Sequence, residues 1–205
     1  MTNATIVLGI TGSIGMGKTT TAEMFRAEGI PVWDADKAVS EAYSPGGSAI
    51  EKIKEWCPSV IDYADLGIDR SALREYLDSD PSRLEDLESI VHPIIERDRE
   101  QFLAKAKARK ERLVVVDIPL LFEVQAENSV DAVLVVTAPE SVQRRRVLER
   151  EHMTDRRLDR ILTRQMPDSE KKARADYVIE TTTLEEASSS VRSLIEQLLH
   201  SRKYD

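Results

Sequence analysis

Gly12-Ser13-Ile14-Gly15-Met16-Gly17-Lys18-Thr19 fills the pattern G-x-x-x-x-G-K-[ST], with Gly15 as an additional glycine inside it. Before it, residues 5–11 (TIVLGIT) form a short apolar, β-branched run of the kind that makes a strand buried on both faces. After it, residues 18–28 turn to helical spacing. Strand, loop and helix in that order give the pattern its physical meaning. Glycines let the backbone wrap closely around a phosphate with successive N–H groups turned inward, the helix start adds its positive dipole end, and the lysine extends toward the terminal phosphates. A dinucleotide fingerprint does not fit, because a G-x-G-x-x-G run begun at Gly15-Met16-Gly17 would need its third glycine at Thr20.

Short apolar runs recur along the chain. Residues 30–33 (IPVW) are a second strand candidate with Pro31 at its start, where a missing N–H does no harm. Residues 113–116 (LVVV), closed by Asp117-Ile118-Pro119, and 132–136 (AVLVV), closed by Thr137-Ala138-Pro139, have the pattern of central parallel strands. Residues 177–179 are a weaker fifth candidate, and residues 184–199 carry one amphipathic face. Strands alternating with helices predict a three-layer, doubly wound α/β fold: a P-loop NTPase fold with a five-stranded parallel sheet and ligands at the C-terminal strand ends. Between residues 37 and 110 the helical pattern is too long for one crossover, so an inserted helical subdomain is expected over about 46–109. A small helical lid is expected over about 141–174, leaving the core to 4–45, 110–140 and 175–203 of a single 205-residue domain.

The charge balance narrows the function. A net charge of −8 argues against a general nucleic-acid binder, whose basic face must neutralise many phosphates. The lid region is the exception: residues 139–175 hold eleven Lys or Arg against seven Asp or Glu. No apolar run approaches the roughly 18 residues of a membrane span. The start of the chain lacks the basic region of a secretory signal, and Cys57 is the only cysteine, so the cytoplasm is the expected compartment and no internal disulfide can form. No obligate protein partner is evident.

Within this frame, residues 12–20, ending in Thr19-Thr20, are the expected ATP-binding segment; Lys18 reaches the β- and γ-phosphates and Thr19 ligates Mg²⁺. Asp34 and Asp36 follow the second strand, where a carboxylate either serves as general base or caps the next helix. Asp117, at the end of a hydrophobic strand, either holds Mg²⁺ through water or is a turn aspartate. Glu123 stands just past the same strand. Arg144, Arg145, Arg146 and Arg150 cluster on the first lid helix, with Arg146 and Arg150 on one face, as a phosphate-covering lid requires. His92-Pro93 is expected to open a helix. No Cys/His cluster has zinc spacing. A GTP-driven switch is excluded by pattern: no glycine follows an aspartate by three positions, and neither Asn3 nor Asn128 precedes a lysine.

Taken in order, Gly9-Ile10-Thr11 with the loop, Asp34-Ala35-Asp36, His92-Pro93, Pro119-Leu120-Leu121-Phe122-Glu123, Arg146 with Arg150, Arg164-Gln165 and Ala175-Asp176-Tyr177-Val178-Ile179 resemble the dephospho-CoA kinase family across nearly the whole chain. The resemblance implies ATP-dependent phosphorylation of the ribose 3′-hydroxyl of dephospho-CoA, the last step of coenzyme A synthesis, with Mg²⁺ as cofactor. It implies that Asp36 accepts or orients the 3′-hydroxyl. Thr11, Arg74, His92, Arg99, Leu121 and Glu123 would line the acceptor site, and Arg146 and Arg150 would act with Lys18 on the phosphates. A nucleoside or nucleotide monophosphate kinase is the nearest alternative, and a non-catalytic nucleotide-binding switch the alternative from another class. The chain departs from the family after the last strand, reading Glu180-Thr181-Thr182-Thr183 where an asparagine or aspartate and a glycine are common. It gives no inherited role to Asp117.

Overall fold

A computed structural model describes residues 4–80 and 82–201, so residues 202 and 203 of the expected core lie outside it. In chain order its elements are β1 (Ile6–Thr11), α1 (Lys18–Ala27), β2 (Val32–Asp34), α2 (Ala35–Ala42), α3 (Ile50–Trp56), α4 (Arg70–Asp78), α5 (Arg83–Ala108), β3 (Leu113–Asp117), β4 (Ala132–Thr137), α6 (Glu140–Leu148), α7 (Asp155–Leu162), α8 (Asp168–Arg174), β5 (Tyr177–Glu180) and α9 (Leu184–Ser201). The five strands lie in the order β2-β3-β1-β4-β5, the parallel sheet the apolar runs predict. Every residue of β1 and of β3 is buried, which is why these strands read as continuous apolar runs rather than alternating ones. Pro31 stands just before β2, and its carbonyl accepts from the Val115 N–H at 2.9 Å.

The chain forms two compact units. One joins the residues up to Trp33 to those from Ala106 onward. Its core packs Ile6, Leu8 and Ile10 of β1 and Val115 of β3 with Phe25 of α1 and with Ala187, Val191 and Leu194 of α9. Among the described residues, no helix is long and apolar enough to cross a membrane.

The second unit, Asp34–Lys105, is helical and has its own core, including Ile50, Ile53, Val60, Leu73, Leu87 and Val91. It begins at Asp34, whereas the sequence suggested an insertion starting near residue 46. Asp34 caps α2 by accepting from the Lys37 N–H at 2.9 Å, and Asp69 caps α4 by accepting from Ser71 and Ala72. Trp56 meets Tyr76 edge to face at 5.2 Å, and the Arg83 guanidinium lies 4.0 Å over the Tyr76 ring. Pro93 does not open a helix as expected: it lies inside the 26-residue α5. The ring removes one backbone bond there, at the cost of the Ser89 carbonyl's helix partner, and Pro93 and Ser89 are both exposed residues, where solvent can satisfy such a group.

Candidate functional site

β1 ends at Thr11 and α1 starts at Lys18, and the six residues between them make a loop whose shape requires glycine at Gly12, Gly15 and Gly17. A Cβ on Gly12 would come within 2.5 Å of the Val136 carbonyl oxygen, so the loop can leave the sheet this close to β4 only without a side chain. Gly17 precedes α1 at φ 88°, in the left-handed region, with the Thr181 hydroxyl 2.8 Å from where its Cβ would be. Among the described residues, the N–H groups of Gly15, Gly17, Lys18 and Thr19 have no protein partner. Four neighbouring donors without acceptors, at a helix N-terminus, form a site built for an anion.

Carbonyl bonds aim these donors. In a trans peptide the C=O and the following N–H point in opposite directions, and no cis bond occurs among the described residues. Gln143 Nε2 of α6 donates to the Ile14 carbonyl at 2.8 Å, which turns the Gly15 N–H the other way. The Thr181 hydroxyl donates to the Met16 carbonyl at 2.8 Å and so turns the Gly17 N–H away from Thr181. Gln165 Oε1, just beyond α7, accepts from the Ile14 N–H at 3.2 Å.

Lys18 and Asp117 are directly paired, with side chains 15% and 2% exposed. The register explains the meeting, since Ile10 of β1 is opposite Asp117 at the end of β3. Thr11, fully buried, donates its hydroxyl to the Pro119 carbonyl at 3.0 Å. Thr19 is exposed in the first turn of α1. No cluster of three or more His, Cys, Asp or Glu suited to a metal occurs among the described residues, so a cation here would need ligand oxygens besides those of the protein. Mg²⁺ carried on nucleotide phosphates fits that donor set, and the exposed Thr19 hydroxyl is a protein oxygen that would be available to it.

The arginines between residues 144 and 150 separate into two groups. Arg144 is bound to α7, 2.7 Å from Asp155 and 3.3 Å from Asp159. Arg146 donates to both the hydroxyl and the carbonyl of Thr181, at 3.0 and 2.5 Å. Arg145 and Arg150 are exposed and have no side-chain partner among the described residues. At the root of α8, Glu123 Oε1 lies 2.8 Å from the Lys171 ammonium, whose side chain is fully buried, and accepts from the Met166 N–H at 2.8 Å. Burial alone would raise the Glu123 carboxyl, but the bonds from Lys171 and Met166 outweigh it and hold the group below its ordinary value. A cavity of about 570 Å³ separates this root from the loop, lined by Ser13, Met16, Gln143, Met166, Asp168 and Lys172 among others.

Several sequence-predicted residues take unexpected places. Leu121 is 0% exposed, with its methyl group against Gly9, and presents no surface to a ligand. Its burial follows from the turn after β3, where one apolar residue must fill the space above the Cβ-less Gly9. Glu123 is committed to Lys171 and Met166 rather than to an open pocket. Asp34 takes the capping role of its two readings, and Asp36 stands exposed in the first turn of α2. In the same unit, Arg74 is exposed on α4 and His92 on α5, and Arg99 of α5, its side chain 18% exposed, lies 3.4 Å from Glu96. Sequence reasoning missed Gln143, Gln165 and Thr181 as supports of the loop. Only Gln165 had a signal, its place in the Arg164-Gln165 block.

The fold and the loop together define a P-loop protein that binds nucleoside polyphosphates. The comparisons agree and go further. The family model described as Dephospho-CoA kinase matches residues 6–186. A protein of Cereibacter sphaeroides named dephospho-CoA kinase is 50% identical over 188 residues, covering 92% of this chain and 93% of its own, and one of Rhodopseudomonas palustris with the same name is 45% identical over 93% and 94%. A crystal structure from Thermus thermophilus superposes with a TM-score of 0.80 at 34% identity, over 95% of this chain and 98% of that one. The chain belongs to the dephospho-CoA kinase family.

Proposed function

We propose that this chain transfers the γ-phosphoryl group of ATP to the ribose 3′-hydroxyl of dephospho-CoA, giving coenzyme A and ADP. The observation that carries the reading is the set of unpartnered N–H groups of Gly15, Gly17, Lys18 and Thr19, in a chain that matches the family over residues 6–186. These donors and the α1 N-terminus bind the phosphates electrostatically, and Lys18, held at the loop by Asp117, extends onto the β,γ-oxygens. Bound Mg²⁺ would supply further charge neutralisation, with Thr19 as its protein ligand.

Asp36, placed just beyond β2, takes the proton of the 3′-hydroxyl as that oxygen bonds to phosphorus and the β,γ-bridging oxygen departs with ADP. Arg150 supplies the lid's positive charge to the transferring group, since its guanidinium has no other partner among the described residues. Thr11, Arg74, His92 and Arg99 serve the acceptor. A single buried cysteine, Cys57, fits a reducing compartment, the cytoplasm.

The test is turnover: purified protein with MgATP and dephospho-CoA yields coenzyme A and ADP in equal amounts. Phosphorylation of nucleoside monophosphates with dephospho-CoA untouched would give the chain to the nucleotide kinases instead.

A further inference from the structure

Thr181 lies in the segment after β5 where the chain departs from the family's common residues, and it is 6% exposed. Its N–H donates to the Thr137 carbonyl at 2.9 Å, which fixes the residue against the end of β4. Its hydroxyl has one proton to give and two lone pairs. The proton goes to the Met16 carbonyl at 2.8 Å, the shorter of two contacts, the other being the Thr137 carbonyl at 3.3 Å. Arg146 of the lid helix α6 occupies an acceptor site on the same oxygen and also bonds the Thr181 carbonyl.

We propose that Thr181 is a positioning residue that aims the Gly17 amide at the nucleotide's phosphates and ties that aim to the lid helix through Arg146. Three features meet in this one side chain. The bond to the Met16 carbonyl orients the Met16–Gly17 peptide, so the Gly17 N–H points away from Thr181. The hydroxyl oxygen lies 2.8 Å from where a Gly17 Cβ would be, and so packs directly against the turn it orients. The Arg146 guanidinium makes the hydroxyl a stronger donor to Met16 by drawing on its lone pair. A closed relay runs from the lid helix to the cradle, and within it Arg146 acts through Thr181 rather than on phosphate.

The inference rests on the loop as a nucleotide site and not on the acceptor's identity, so it is read first by binding. Thr181→Val removes the hydroxyl and keeps the shape; ADP affinity measured by calorimetry falls about tenfold, the scale of one misaligned hydrogen bond to a charged ligand. Thr181→Ser restores affinity to within about twofold, because it keeps the donor. In turnover the KM for ATP rises while the KM for dephospho-CoA stays where it was. Arg146→Gln also weakens ADP binding, and combined with Thr181→Val it adds no further loss, because both act on one bond.

Unchanged ADP affinity in Thr181→Val, or equal loss in the serine and valine variants, overturns the proposal. Losses that multiply in the double variant remove Arg146 from the relay. Should Thr181→Val not fold, Thr181→Cys, with its weak donor, reads the same contrast against serine. A protein that binds ADP as described but makes no coenzyme A leaves this inference standing and sinks the proposed reaction.

Discussion

Lys18 is held by a carboxylate that is almost completely removed from water, since Asp117 is 2% exposed. Truncating one member of a buried pair leaves the other charge desolvated, at a cost of roughly 3–5 kcal/mol. Lys18→Ala therefore loses ATP use and also melts earlier, whereas Asp36→Asn, on an exposed turn, melts like the parent. The same Asp36→Asn variant lowers kcat by about 10²-fold, the scale of a lost general base, with the KM for ATP within about twofold. Steady-state kinetics beside thermal melts check both, and an equal loss of ATP binding in the two variants would dissolve the division of roles.

At the scale of elements, the attachment of α8 is polar rather than apolar. Lys171 and the Met166 N–H converge on Glu123, Thr137 donates to Asp168 at 2.8 Å, and Arg174 pairs with Glu127. Because the folded state holds the Glu123 carboxyl below its ordinary value of 4.5, its contribution to stability is complete above that pH and is lost as pH falls through the lower folded value. Glu123→Gln should melt a few degrees below the parent at pH 7, for a loss of roughly 1–3 kcal/mol, and the gap should close on acidification. A gap of constant size from pH 7 to pH 3 would assign the effect to shape instead of charge.

For the molecule as a whole, the cradle is a store of unpaired donors that a ligand completes. Binding to the folded state alone stabilises by about 2.7 kcal/mol at a hundred times Kd, which for a chain of this size is roughly 5–10 °C in Tm. MgATP should raise the melting temperature by that amount, EDTA should take back much of the gain, and Lys18→Ala should show almost none of it. A parent protein whose melt ignores MgATP would contradict the loop's role.

The amino-acid order alone determined the loop, the buried strands, the closing helix α9 and the class of ligand, because each is encoded within a dozen neighbouring residues by glycine placement or by an apolar period. Helix starts were less legible: Pro93 reads as a breaker, yet α5 continues through it on an exposed face. The tertiary structure decided which side chains hold the loop. Gln143, Gln165 and Thr181 are 129, 151 and 165 positions away from the loop residues they bond. It also decided that, among the described residues, the Arg144 and Arg146 side chains have partners while that of Arg150 has none, that Leu121 is buried, and that Glu123 is bonded to Lys171 and Met166. The reason is physical. A hydrogen bond to a backbone amide or between distant side chains follows no sequence period, and its partner exists only once the sheet has brought the strand ends together.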